Sequence, residues 1–296
     1  MRCRRASYAD GADLFEATQT GAVSVNVTTD TFSETRPTFN VVADSRKGDP
    51  DKVVVVGAHL DSVLVGPGIN DNGSGTATIL ETAIQMSKLG IQPRQKLRFA
   101  FWGAEEAGLL GSEYYVANAS DEDLSKIYAN LNFDMLGSPN YVRFVYDGDG
   151  SADPDGLSGP PRSAQIEGIF TDYFGSKGLA TEPTAFDGRS DYGPFIAVGI
   201  PAGGLFSGAE GLKTEAEAAT YGGTAGVAYD SCHHEACDDI TNLSTKALAE
   251  LGDAAAHSIM TLARSKSGFF EDGSRMAARQ TVTADDFEFK GSHRIR

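Results

Sequence analysis

Four consecutive valines, Val53 to Val56, followed by Gly57 and Ala58, constrain the fold of this chain more than any other stretch. Such a run reads as a strand buried on both faces, so the sheet that holds it must be covered above and below. His59 and Asp61 then fall just past the carboxyl end of the strand, where loops of open α/β sheets converge on a crevice. Twelve positions after His59 comes Asp71, directly before Asn72 and the Gly73-Ser74-Gly75 turn that opens the next helix. A neutral imidazole and a carboxylate at one sheet edge suit zinc.

The same pattern recurs downstream. Phe39 to Ala43 reads as a first strand, and Gly48-Asp49-Pro50-Asp51 as the turn leading to the valines. After Gly75 a helix is expected, with Ala77, Leu80, Ile84 and Ser87 on one face, Asn72 or Ser74 capping its start and Gly90 closing its end. Leu97, Phe99 and Phe101 alternate in another strand that ends at Gly103-Ala104-Glu105-Glu106. Helices are expected over 114–118 and 121–128, then a strand over 129–134 that ends in Asp134. Three strands thus each end in candidate ligands.

Beyond this point, 141–146 reads as a strand, 147–162 as a long loop and 164–174 as a helix. A polar loop, Phe186 to Tyr192, leads on to a strand over 200–206 with a Gly-rich exit, then a loop over 208–226. The last long helix is expected over 245–262, with Leu248, Leu251, Ala255, Ile259 and Leu262 facing inward. At the other end, Asp10 to Thr18 reads as helix and Ala22 to Thr28 as an alternating strand, a pair too small to bury its own apolar face.

Charge narrows the partners. With 25 basic and 41 acidic residues the formal charge is -16, which disfavours nucleic acid and anionic membrane. No apolar run approaches the roughly 20 residues that cross a bilayer, and no secretory signal peptide lies in these residues. A monomer is expected. Cys232 and Cys237 bracket His233, His234, Glu235 and Ala236. They read as a small disulfide loop of a secreted protein, with a reduced pair or thiolate metal ligands as alternatives.

Seven blocks in one order carry a family resemblance: GAHLDS, NDNGSG, WGAEEAGLLGS, NFDMLGSPN, FDGRSDYGPF, GIPAGGLFSGAEG and YDSCHHEACDD. Together they resemble the secreted bacterial dizinc aminopeptidases of the Streptomyces type. The resemblance covers 37–263 as a catalytic domain and leaves 264–296 as a tail. Residues 1–36 are similar to the closing part of a protease-associated domain. The fold implied is a three-layer α/β/α sandwich around a mixed, mostly parallel sheet.

Position by position, the resemblance implies two zinc ions. His59 and Asp134 would hold one, Glu106 and His234 the other, with Asp71 bridging. Glu105 would be the general base for a zinc-bridging water, and Asp61 would hydrogen-bond the His59 imidazole. The Asp71-Asn72 peptide is expected to be cis. The substrate implied is a peptide with a free N-terminus, met by Glu105 and Asp134, with Arg189 contacting product and Phe206, Gly203 and Gly204 lining an apolar pocket.

One position departs from the pattern. A tyrosine usually precedes the last zinc histidine, and this chain has His233, whose N–H could support the oxyanion instead. Asp238, Asp239 and Asn242 read as loop and cap residues. Two other classes fit the same scaffold: a carboxypeptidase or deacylating hydrolase, with Arg189 anchoring a substrate carboxylate, and a catalytically weakened binding module.

Overall fold

The computed structural model describes residues 7–26, 28, 30, 34–152 and 158–266, and the chain divides into two units, Met1–Pro37 and Thr38–Arg296. In the first unit the expected helix forms as α1 (Tyr8–Thr20). Ser7 Oγ accepts from the Asp10 amide, and the Asp10 carboxylate accepts from the Ser7 amide, both at 3.1 Å. The strand expected over 22–28 does not form: residues 22–26 are irregular and exposed. An alternating pattern makes a strand only where a neighbour completes its ladder. Residue 27 lies outside the described residues, as does nearly all of the expected tail.

The second unit is built on one seven-stranded sheet: β1 (Val41–Asp44), β2 (Asp49–His59), β3 (Gln95–Trp102), β4 (Ile127–Phe133), β5 (Phe144–Tyr146), β6 (Glu182–Thr184) and β7 (Ala202–Phe206). Their order is β1-β3-β2-β4-β7-β5-β6. The run β3, β2, β4, β7 is parallel, as is the pair β5, β6, while β1 on β3 and β5 on β7 are antiparallel. This is the mixed, mostly parallel sheet that the sequence implies.

The valine run explains the layers. Val54 and Val56 enter a core with Ile79, Phe170 and Leu251, whereas Val53 and Val55 enter a second core with Trp102, Val116 and Phe195. The first core is roofed by α2 (Gly75–Lys88), α5 (Ser163–Ser176) and α8 (Thr245–Arg264), the second by α3 (Leu110–Asn118) and α6 (Gly193–Ala197). Each fully buried valine contributes on the order of 2 kcal/mol, so leaving either face open would forfeit about half of the run's stabilisation.

Several local expectations are corrected. On α2 the buried residues are Gly75, Ile79, Thr82 and Met86, while Leu80 and Ile84 are 47% and 37% exposed. Apolar residues recur at helical spacing on both stripes. The Thr82 hydroxyl satisfies itself on the Thr78 carbonyl at 2.8 Å, which makes the less apolar stripe buriable. The turn expected over 48–51 ends at Gly48, because Asp49 already pairs with Gln95. The helix expected over 121–128 stops as α4 (Asp121–Lys126), where β4 takes over. Only Phe144–Tyr146 of the strand expected over 141–146 pairs, and 193–197 is helical. The expected loop 208–226 contains α7 (Glu215–Tyr221), with a Thr214 and Glu217 capping box.

Candidate metal centre

The carboxyl ends of β2, β3 and β4 meet, and the loops after them bring the candidate ligands together. His59, the last residue of β2, is buried, with Nε2 3.1 Å from Asp71 Oδ1 and 3.2 Å from Asp134 Oδ1. The other Asp71 oxygen, Oδ2, lies 3.2 Å from His234 Nε2, which is itself 2.9 Å from Glu106 Oε2. Asp71 therefore faces two donor groups with one oxygen each. Glu105 Oε2 sits farther off, 4.0 Å from His59 Nε2.

Local structure explains why these side chains converge. Asp71 lies in the kinked segment Ile69–Ser74, where its own backbone is non-helical with φ -105° and ψ 91°, and the Asp71-Asn72 peptide is cis. Asn72 locks this turn to the end of β4: its Nδ2 donates to Phe133 O at 2.9 Å, and its Oδ1 accepts from Gly75 N and Met135 N at 3.0 and 3.2 Å. Gly75 is required at that junction, because a Cβ there would overlap the Phe133 carbonyl. Ala104, Met135 and His234 take left-handed backbones, with φ of 57°, 54° and 59°. Each sits at or beside a candidate ligand, and each costs on the order of 1 kcal/mol that surrounding contacts must offset.

Supporting groups differ partly from expectation. Asp61 does meet the His59 imidazole, but through its backbone and not its carboxylate. Its backbone oxygen lies 3.1 Å from His59 Nδ1, while its carboxylate accepts from Glu105 N at 2.9 Å and Glu106 N at 3.2 Å. The reason is reach: the carboxylate spans to the β3 loop and aims both glutamates. Asp238 is likewise more than a loop residue, since its oxygens accept from Asn70 N at 2.9 Å and Asp71 N at 3.0 Å. Asn242 donates to Asp230 and Asp238, and Asp239 caps the Ile240–Asn242 turn as expected.

Cys232 and Cys237 form a disulfide around the loop that carries His233 and His234, whose rings stack 3.9 Å apart. Sequence reasoning missed two further neighbours. Ser190 Oγ donates to Asp134 Oδ2 at 2.5 Å and accepts from Asn132 at 2.8 Å. Glu210 reaches both His233 and Arg189, at 3.3 Å and 2.6 Å. Both carried a signal, since Ser190 lies in the FDGRSDYGPF block and Glu210 in the GIPAGGLFSGAEG block, but neither block says which side chain its polar residue meets.

The three residues expected to line an apolar pocket are placed differently. Phe206 ends β7 and stacks on Phe144 at 5.9 Å. Gly203 and Gly204, however, are buried within the sheet, tight against Ile166 and the Asn132 carbonyl, so they pack β7 onto its neighbours instead of lining a pocket.

Electrostatics follow from this crowding. Burial pushes the Glu105 carboxyl well above its usual range, with Asp191, Asp134 and Asp71 adding to the effect and His59 opposing it. Burial raises Asp191 to about 7. Burial opposes charge on His233, but hydrogen bonds to Asp71 and Glu210 outweigh it and raise its pKa to about 9.

The donor set fits zinc. Ligand atoms that share a tetrahedral ion at roughly 2.0–2.1 Å lie about 3.3 Å apart, close to the spacings here. Glu106 Oε1 is moreover buried without a hydrogen-bond partner, as expected of an atom beside a cation.

Residues 40–259 match the family described as Peptidase family M28. The chain belongs to this family. Among its relatives, an aminopeptidase of Pseudomonas aeruginosa is 52% identical over 258 residues, 84% of this chain and 47% of the relative. Leupeptin-inactivating enzyme 1 of Streptomyces exfoliatus is 46% identical over 260 residues, 87% of this chain and 56% of the relative. A zinc aminopeptidase from Bacillus subtilis aligns structurally with a TM-score of 0.61 at 25% identity, covering 77% of this chain and 51% of that one. This M28 chain spans about half the length of the curated relatives it matches.

Proposed function

We propose that this M28 chain is a zinc aminopeptidase that releases N-terminal, apolar residues from peptides. The observation that carries this reading is Asp71, with Oδ1 3.1 Å from His59 Nε2, which also meets Asp134, and Oδ2 3.2 Å from His234 Nε2, which also meets Glu106. His59 and Asp134 would hold one zinc, Glu106 and His234 a second, with Asp71 shared. A bound pair of this kind supplies Lewis acidity that lowers the pKa of water and polarises a carbonyl.

The chain's own residues do the rest. Glu105 takes the proton of the attacking water and passes it to the leaving amine. His233 donates an N–H to the developing oxyanion, in the place of the family's tyrosine. Glu105 and Asp134 attract the substrate's ammonium, Arg189 meets the carboxylate of the released amino acid, and Phe206 contacts its side chain. The carboxypeptidase alternative would use the same Arg189 as the anchor of a substrate carboxylate, and the N-acetylated control below separates the two readings. The disulfide around the ligand loop supports work in an oxidising, extracellular setting, and the acidic surface disfavours polyanionic partners. Among the described residues no helix is long and apolar enough to cross a membrane.

The test is metal content and leucine p-nitroanilide hydrolysis on one sample, with chelator, zinc add-back and the N-acetylated substrate as controls. About two zinc per chain and release that chelator abolishes are expected. Hydrolysis of the N-acetylated substrate alone would move the chain to the deacylating class, and a folded sample without metal affinity would reject the reading.

A further inference from the structure

Glu210 stands outside the metal and acid–base set, yet its two oxygens engage two groups that would touch substrate. Oε2 lies 3.3 Å from His233 Nδ1, and Oε1 accepts from Arg189 Nη1 at 2.6 Å. His233 Nε2 in turn lies 3.3 Å from Asp71 Oδ2. An unbroken polar chain therefore runs from Arg189 at the rim, through Glu210 and His233, to the centre.

We propose that Glu210 is a positioning residue with two tasks: it fixes the His233 ring, and it holds Arg189 so that a product carboxylate must displace Glu210 to be retained. The inference rests on the roles of His233 and Arg189 proposed above. Hydrolysis turns a neutral carbonyl into a carboxylate, so the guanidinium meets a new anionic competitor only once the bond is cut. A pre-existing carboxylate partner weakens that product complex without touching the uncleaved peptide.

Two further observations favour this over an incidental surface pair. The backbone on either side of Glu210 is pinned, with Asp230 N donating to Ala209 O at 2.8 Å and Tyr229 N to Gly211 O at 2.9 Å. Glu210 is thus presented from a fixed base. The Arg189 and Glu210 side chains are 37% and 57% exposed, and ion pairs this wet are weak enough for a product carboxylate to compete with.

The test compares wild type, Glu210→Ala, Glu210→Gln and the Glu210→Ala/Arg189→Ala double variant, each as the zinc-loaded full chain. Calorimetric binding of leucine and of leucinamide, which lacks the carboxylate, is measured beside kcat and KM. Glu210→Ala should bind leucine about fivefold more tightly, the size of one partly exposed ion pair, with leucinamide unchanged. The double variant should lose that gain. Loss of the ring's support should lower kcat roughly tenfold in Glu210→Ala, and Glu210→Gln, which keeps an acceptor, should recover most of it. Leucine affinity that is unchanged, weakened or tightened equally with leucinamide overturns the proposal. An inactive wild type that still separates leucine from leucinamide in this way would reject the aminopeptidase reading and leave the Glu210 role standing.

Discussion

Asp238 accepts the backbone amide of Asp71 at 3.0 Å, although 167 residues separate them in sequence. The loop that carries His233 and His234 therefore also orients the carboxylate proposed to bridge the centre. Replacing Asp238 by Asn puts an amide donor against one of the two backbone N–H groups it serves. Loss of such a support is expected to weaken zinc binding by roughly tenfold to a hundredfold and to cost about 1–3 kcal/mol of stability. Chelator competition and urea unfolding on the same variant check both figures.

The base role proposed for Glu105 would separate chemistry from metal binding. Glu105→Gln keeps the shape and removes the base, so kcat should fall by about 10²–10⁴ while zinc content is unchanged. Metal analysis beside steady-state kinetics reads this directly. Parallel loss of zinc and activity would instead make Glu105 a ligand.

The disulfide closes a loop of sequence separation 5 around two of the site's histidines. Chain-entropy arithmetic for a loop this short gives about 2 kcal/mol. Reduction, or Cys232→Ser, should therefore lower Tm modestly. The zinc proposed on the Glu106 and His234 side should become the first lost to chelator, because the histidine proposed to hold it rides on the loop. Equal retention of both ions after reduction would show that Asp230 and Asp238 hold the loop alone.

At the far edge of the sheet, Arg98 binds Asp44 through two bonds of 2.7 and 2.8 Å. Those bonds lower the Asp44 carboxyl below its usual range against the opposing effect of burial. A depressed carboxylate stabilises the fold above its unfolded pKa, near 3.9, and stops doing so as pH falls through the lower folded value. Both side chains are about one-third exposed, so Asp44→Asn should cost only about 0.5–1 kcal/mol at pH 7. Urea unfolding should show the gap shrinking once the pH drops below about 4.

Much of the fold was legible because it rests on local rules. The valine run demands two covered faces, and Leu251, Ala255, Ile259 and Leu262 mark the buried stripe of α8 as the periodicity implies. The α2 stripe was misread, because two stripes of similar spacing differ only in what packs on them. The strand over 22–28 was misread because alternation cannot supply a pairing partner.

For the site, the sequence by itself determined which residues stand at or just past strand ends: His59, Glu105, Glu106 and Asp134 follow from where hydrophobic runs stop, and Asp71 from the Gly-rich turn before α2. Only the tertiary structure decided what each carboxylate does once there. Asp61 turned to the Glu105 and Glu106 amides, Asp238 to the Asp71 amide, and Glu210 to His233 and Arg189. The physical reason is range. Burial periodicity is written in neighbours a few residues apart, whereas a hydrogen bond across the site depends on angles set by every element between its partners.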